Sequence, residues 1–192
     1  MKKLYLIISA ILIFMWVFAA CATPPVDDMN RAQDAVLRAE NDANAVNYAS
    51  HTLLQARDAL ARMQAEADSR RYDAARALAT EAINHAERAI ADGRAGAARA
   101  REEAENVIRN LDELMAQTAT AISNARRVPL QVDFDAISRE MDLAERALDE
   151  TRQSFAAGNY RDVVSRGQII RSILSDINSR LVEAVQATSR KQ

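Results

Sequence analysis

Histidine and glutamate are the first candidates for chemistry in this sequence. Of the two histidines, His51 and His85, the second lies four residues after Glu81, so its imidazole and that carboxylate share one helix face. Such a pair offers two ligands, whereas a structural zinc site takes four. We therefore interpret Glu81 and His85 as an exposed helical pair, and the sequence predicts neither a metal site nor a cofactor.

One group of carboxylates is surrounded by arginines at helical spacing. The group consists of Glu102, Glu103 and Glu105, with Arg99, Arg101 and Arg109 around them. Opposite charges three or four residues apart are typical of an ion-paired, solvent-exposed helix face. Acid–base catalysis instead needs carboxylates with shifted pKa values, usually in a cleft. Between the predicted helices we expect no loop long enough to build one. We expect no catalytic residue and no small-molecule substrate.

The composition favours an all-α protein. The chain has 192 residues, of which 39 are alanine and only 5% are aromatic. Alanine is the strongest helix former, whereas β-sheets need β-branched or aromatic residues. The 25 basic residues are balanced by 27 acidic ones, for a net charge of −2. A balance of this kind gives no basic surface for nucleic acid.

The single cysteine follows a segment with the layout of a signal peptide. Residues 1–20 combine a positive start with an uncharged apolar run, residues 4–18, which is shorter than the ~20 residues of a membrane-spanning helix. Phe18-Ala19-Ala20-Cys21 resembles the lipobox of bacterial lipoproteins. The resemblance implies cleavage before Cys21, diacylglyceryl transfer to its thiol and acylation of the new amino terminus. Because no Asp follows Cys21, it also implies the outer membrane, facing the periplasm.

Hydrophobic periodicity divides the remaining chain into helices after a lipidated linker, residues 21–26. The predicted helices cover residues 27–46, 50–68, 71–93, 97–127, 133–156 and 159–188. No proline or polar turn cluster surrounds Gly93 and Gly96, so we expect one continuous helix from 71 to 126. The buried face of the first helix is predicted to include Ala43 and Val46, and that of the last helix Val185.

These helices predict an elongated antiparallel bundle. Two tandem three-helix bundles, residues 27–95 and 96–192, would share the long coiled-coil-like helix. Four residues recur at an offset of 88: Ala56, Ala59, Leu60 and Tyr72 match Ala144, Ala147, Leu148 and Tyr160. An internal repeat of two helical hairpins is therefore expected. Because aromatic residues are scarce, Tyr48, Tyr72 and Tyr160 are the candidates for helix-end packing or contact with a partner.

Several motifs together resemble an uncharacterised family of Ala-rich bacterial lipoproteins. Beside the lipobox they are Tyr48-Ala49-Ser50, Ala56-x-x-Ala59-Leu60 and Arg71-Tyr72-Asp73-x-Ala75, and the resemblance covers about residues 21–115. Gly158-Asn159-Tyr160 also resembles the turn of a tetratricopeptide hairpin. The resemblance implies helical hairpins, an envelope location and protein interaction, and it supplies no reaction.

We therefore expect a non-catalytic lipoprotein, anchored in the membrane through its N-terminal lipid, that acts as a structural or protein-interaction module. Envelope proteins are the expected partners, and a homo-oligomer remains open. The last helix has more aliphatic residues than one face needs, enough to form a core or to seat a partner: Ile169, Ile170, Ile173, Leu174, Ile177, Leu181, Val182 and Val185. Two alternatives are a carrier or chaperone for hydrophobic envelope cargo, which needs a cavity, and a peptidoglycan-associated tether through Lys191.

Overall fold

The computed structural model describes residues 23–190, which form α-helices and no β-strand. The six helices in this range are α1 (Val26–Asn41), α2 (Ala43–Tyr48), α3 (Ser50–Asp68), α4 (Tyr72–Ala125), α5 (Phe134–Ala156) and α6 (Tyr160–Ser189). The predicted all-α fold is confirmed, as is the continuity of the long helix through Gly93 and Gly96. The signal peptide, Cys21 and Lys191 lie outside the described residues. Across residues 23–190, no helix combines the length and the apolar character needed to cross a membrane.

The chain divides into two compact units between Gly96 and Ala97, a boundary that falls within α4. In unit 1, α1 and α3 are antiparallel, because Arg57 Nε donates to Glu40 Oε1 at 2.6 Å. α1 and α4 run in the same direction, since Arg76 near the start of α4 lies 3.9 Å from Asp28 near the start of α1. Unit 1 is thus an up–down–up arrangement of α1, α3 and the first part of α4, with the short α2 between α1 and α3.

Alanine dominates the core of unit 1. Twelve of the sixteen buried hydrophobic residues described there are alanines. Alanine contributes little buried area per residue but lets helix backbones approach closely. At Gly93 the backbones of α4 and α2 lie close together, because a Cβ atom added to this glycine would lie 2.5 Å from the backbone nitrogen of Ala45. The two glycines of α4 therefore serve packing and do not break the helix.

The sequence predicts one continuous helix over residues 27–46, but in the structure the first helix ends at Asn41. Asp42 adopts an extended conformation, and its side chain accepts a hydrogen bond from Ala45 N at 2.9 Å, which caps α2. The break shifts the helical phase. Ala45 is buried, whereas Ala43 is exposed and Val46 is 45% exposed. The prediction that Ala43 and Val46 face the core was wrong.

Unit 2 repeats the up–down–up order with the rest of α4, α5 and α6. α5 and α6 are antiparallel: Arg166 near the start of α6 pairs with Glu150 near the end of α5, and Arg180, further along α6, pairs with Glu140, nearer the start of α5. α4 and α6 run in the same direction: Val107 contacts Gly167, and further along Asn178 Nδ2 donates to Thr118 Oγ1 at 2.8 Å.

The core of unit 2 consists mainly of large aliphatic residues. The apolar stripe by which α4 packs in this unit, its seam, is buried from Leu111 to Ala125. Only two of the twelve core residues described are alanines. At the end of α6 the prediction for Val185 was wrong, since it is 51% exposed. Ala184 and Ala187 instead line a groove between α6 and the loop before α5, and Val185 faces away from this groove.

Candidate functional site

The turns before α4 and α6 have the same backbone geometry. Arg70 and Gly158, which are 88 residues apart, both adopt positive φ angles, 58° and 79°. Matching N–H to C=O bonds of 2.9–3.0 Å close the turns: Arg70 to Ala67 and Arg71 to Glu66, Gly158 to Phe155 and Asn159 to Ser154. This is the Schellman motif, in which a right-handed helix ends with one residue in the left-handed conformation. The offset seen in the sequence therefore coincides with equivalent turns.

The three candidate tyrosines lie at helix ends and are partly buried. Tyr72 and Tyr160 begin α4 and α6, and Tyr48 ends α2. The Tyr160 ring is tilted against that of Phe155, with 5.5 Å between centroids. Tyr48 packs against Gly96, because a Cβ atom added to this glycine would lie only 2.6 Å from Tyr48 Cβ. The structure thus gives Tyr48 and Tyr160 packing contacts within their own units.

Both histidines line one open groove between α3 and α4, together with Leu54, Asp58 and Glu81. His85 Nε2 lies 3.7 Å from Glu81 Oε1. Residue spacing could not show that His51 joins this pair, because the antiparallel packing of α3 on α4 brings it there. Within residues 23–190, no group of three His, Cys, Asp or Glu side chains is placed to hold a metal ion.

The predicted ion-paired face of α4 includes a direct contact between its charges. Arg101 Nε donates to Glu105 Oε1 at 2.9 Å, and Glu102 and Glu103 are exposed. Elsewhere, the pKa of Asp162 is held below its usual value by hydrogen bonds from Ser154 and then from Arg166. These are electrostatic contacts of helix surfaces and helix ends.

One row of positions on the outer side of α6 is uncharged, and we call it the neutral face; the exposed charged residues Arg171, Asp176 and Glu183 flank it. Its members are all exposed, none is charged, and they recur every three or four residues opposite the buried stripe of the helix: Ser165, Gln168, Ser172, Ser175, Ser179, Val182, Gln186 and Ser189. Ile169, 61% exposed, and Val185 lie beside it. The neutral face extends over about 36 Å of helix.

The outer side of α5, in the same unit, shows that the neutral face is not a general property of this protein. At the same three- and four-residue spacing, one of its six exposed positions is Gln153 and the other five are charged: Asp135, Arg139, Asp142, Arg146 and Asp149. Protein interfaces are depleted of charged residues at their centres. The sequence analysis identified the surplus aliphatic residues of α6 but missed the neutral face, although its three- and four-residue spacing is visible in the sequence.

Comparison with known proteins gives a match to a family model, which covers unit 1 from residue 27 and the beginning of unit 2. Neither the curated proteins nor the solved structures gave a match. The similarity includes the motifs around Tyr48 and Tyr72, and it agrees with the resemblance to an uncharacterised family. Over residues 27–106, the chain matches the family model of a domain of unknown function (DUF4398).

Proposed function

We propose that this protein is a lipid-anchored, non-catalytic interaction module of the cell envelope. In this proposal Cys21 carries the lipid in the outer membrane, the helices face the periplasm, and the neutral face of α6 binds a helix of another envelope protein. The observation that carries the proposal is the absence of charge from eight exposed positions of α6.

An uncharged helix face is suited to close packing because burying an unpaired charge is costly. Serine is small, so a partner helix can approach closely, and its hydroxyl can form a hydrogen bond across the contact. Gln168 and Gln186 add amide donors and acceptors. A solvent-exposed face has no comparable need to exclude charge, as the outer face of α5 illustrates.

The aliphatic side chains at this surface supply the favourable term for binding. Ile169, Val182 and Val185 are each more than half exposed. Complete burial of such a side chain contributes about 1.5–3 kcal/mol, so covering the exposed part contributes about 1 kcal/mol for each. Association also has an entropic cost, and a partner must therefore bury further surface along α6.

The anchoring part of the proposal rests on the sequence around Cys21 and on the position of α1. The first described helix begins at Val26, five residues after Cys21, and Pro25 before it is already buried. A lipid on Cys21 would therefore be joined to the fold by a short linker. Because each buried CH₂ contributes ~0.8 kcal/mol, more than one acyl chain gives stable attachment.

The test of the interaction surface is a matched pair of substitutions. Gln168→Glu adds one carboxylate to the neutral face, and Gln153→Glu adds one to the exposed outer side of α5. We expect crosslinking in intact envelopes, followed by purification of the protein, to recover a stoichiometric partner from the wild type and from Gln153→Glu. Recovery should fall about tenfold for Gln168→Glu, the effect of about 1.4 kcal/mol.

Equal recovery from both variants would remove α6 from the proposal. Recovery of cell-wall fragments alone would support a tether instead, and recovery of crosslinked copies of the chain would identify the partner as a second copy. A Cys21→Ala control separates the two parts of the proposal, because it removes the anchor and leaves the neutral face intact.

A further inference from the structure

We draw no further inference here: the strongest candidate, the open α3–α4 groove that holds His51 and His85 beside Glu81, does not bring three metal-ligating side chains of the described residues together, and nothing in the structure shows what else would occupy it.

Discussion

Arg70 and Gly158 occupy the same position in equivalent turns, but only glycine adopts this conformation without cost. A left-handed conformation costs a residue with a Cβ atom roughly 1–2 kcal/mol. Part of this is offset because glycine loses more conformational freedom on folding. Unit 1 therefore tolerates a strained residue where unit 2 has the relaxed one.

Replacing Arg70 with glycine should stabilise the protein. We expect Arg70→Gly to raise the free energy of unfolding by about 0.5–1 kcal/mol, because it removes the strain and the side chain is exposed. Urea unfolding followed by circular dichroism would measure this. Gly158→Ala is the reciprocal control. A Cβ atom at that position meets no atom within 4 Å, so its expected loss of about 1 kcal/mol comes from the backbone alone. A destabilised Arg70→Gly variant would contradict this interpretation.

Gly93 provides a second prediction, in which crowding outweighs helix propensity. Alanine is favoured over glycine in a helix by about 1 kcal/mol. At Gly93, however, the new Cβ atom would lie 2.5 Å from backbone nitrogen of Ala45, which can move only with α2. We expect Gly93→Ala to lower the free energy of unfolding by about 2–3 kcal/mol.

The matched variant for Gly93→Ala is Gly167→Ala. There the new Cβ atom would lie 2.4 Å from Val107 Cγ1, the end of a side chain that can shift. The loss should therefore be smaller than at Gly93, and both are measured by the same unfolding experiment. Equal losses would show that backbone crowding at Ala45 is not the cause.

At the level of helices, the sequence predicts seams well where apolar and polar residues alternate clearly. The seam of α4 in unit 2 and that of α5 are buried almost throughout, because Leu, Ile and Met stand out against charged neighbours. In unit 1 the signal is weaker. Ala39, Ala43, Ala45 and Ala49 are equally apolar, so their pattern does not reveal that Asp42 breaks the helix and changes the buried face.

One part-buried side-chain hydrogen bond joins α4 to α6 in unit 2. Thr118 is fully buried, and its hydroxyl accepts from Asn178 Nδ2, which also donates to Leu174 O at 2.9 Å. Thr118→Val leaves one amide hydrogen of Asn178 without this acceptor. We expect a loss of about 1–2 kcal/mol in the free energy of unfolding.

Thr151→Val is the control for Thr118→Val. Thr151 is equally buried, but its hydroxyl donates to Ala147 O of its own helix, at 2.7 Å. Its loss should be about 0.5 kcal/mol or less, since no second helix loses a partner. The double variant Thr118→Val with Asn178→Leu should recover part of the stability, because both polar partners are then removed. Equal losses for the two threonine variants would argue against a stabilising role of the bond between Asn178 and Thr118.

At the scale of the whole molecule, the two units have the same type of turn and the same helix order, but their cores differ in composition. Unit 1 buries alanine, whereas unit 2 buries Leu, Ile and Met. In the sequence the repeat appears at three matched positions in the middle of α3 and α5 and at the tyrosine after each turn, whereas most other core positions differ in residue type. The sequence shows which residues of α6 are aliphatic or uncharged. It does not show which aliphatic residues are exposed, because that depends on how α4 and α5 cover the helix.

The proposed lipid anchor can be tested on the full-length protein without reference to either unit's fold. Cys21 is the only cysteine, so a fatty-acid label attached through a thiol can enter the protein at one position alone. We expect the full-length wild type to incorporate an alkyne fatty acid during growth and to remain in the membrane fraction. Cys21→Ala should lose the label, because no thiol remains to carry the acyl chains. Gln153→Glu, with its cysteine intact, should behave as the wild type. An unlabelled wild-type protein would remove the anchor while leaving the binding role of α6 to be judged by its own substitutions.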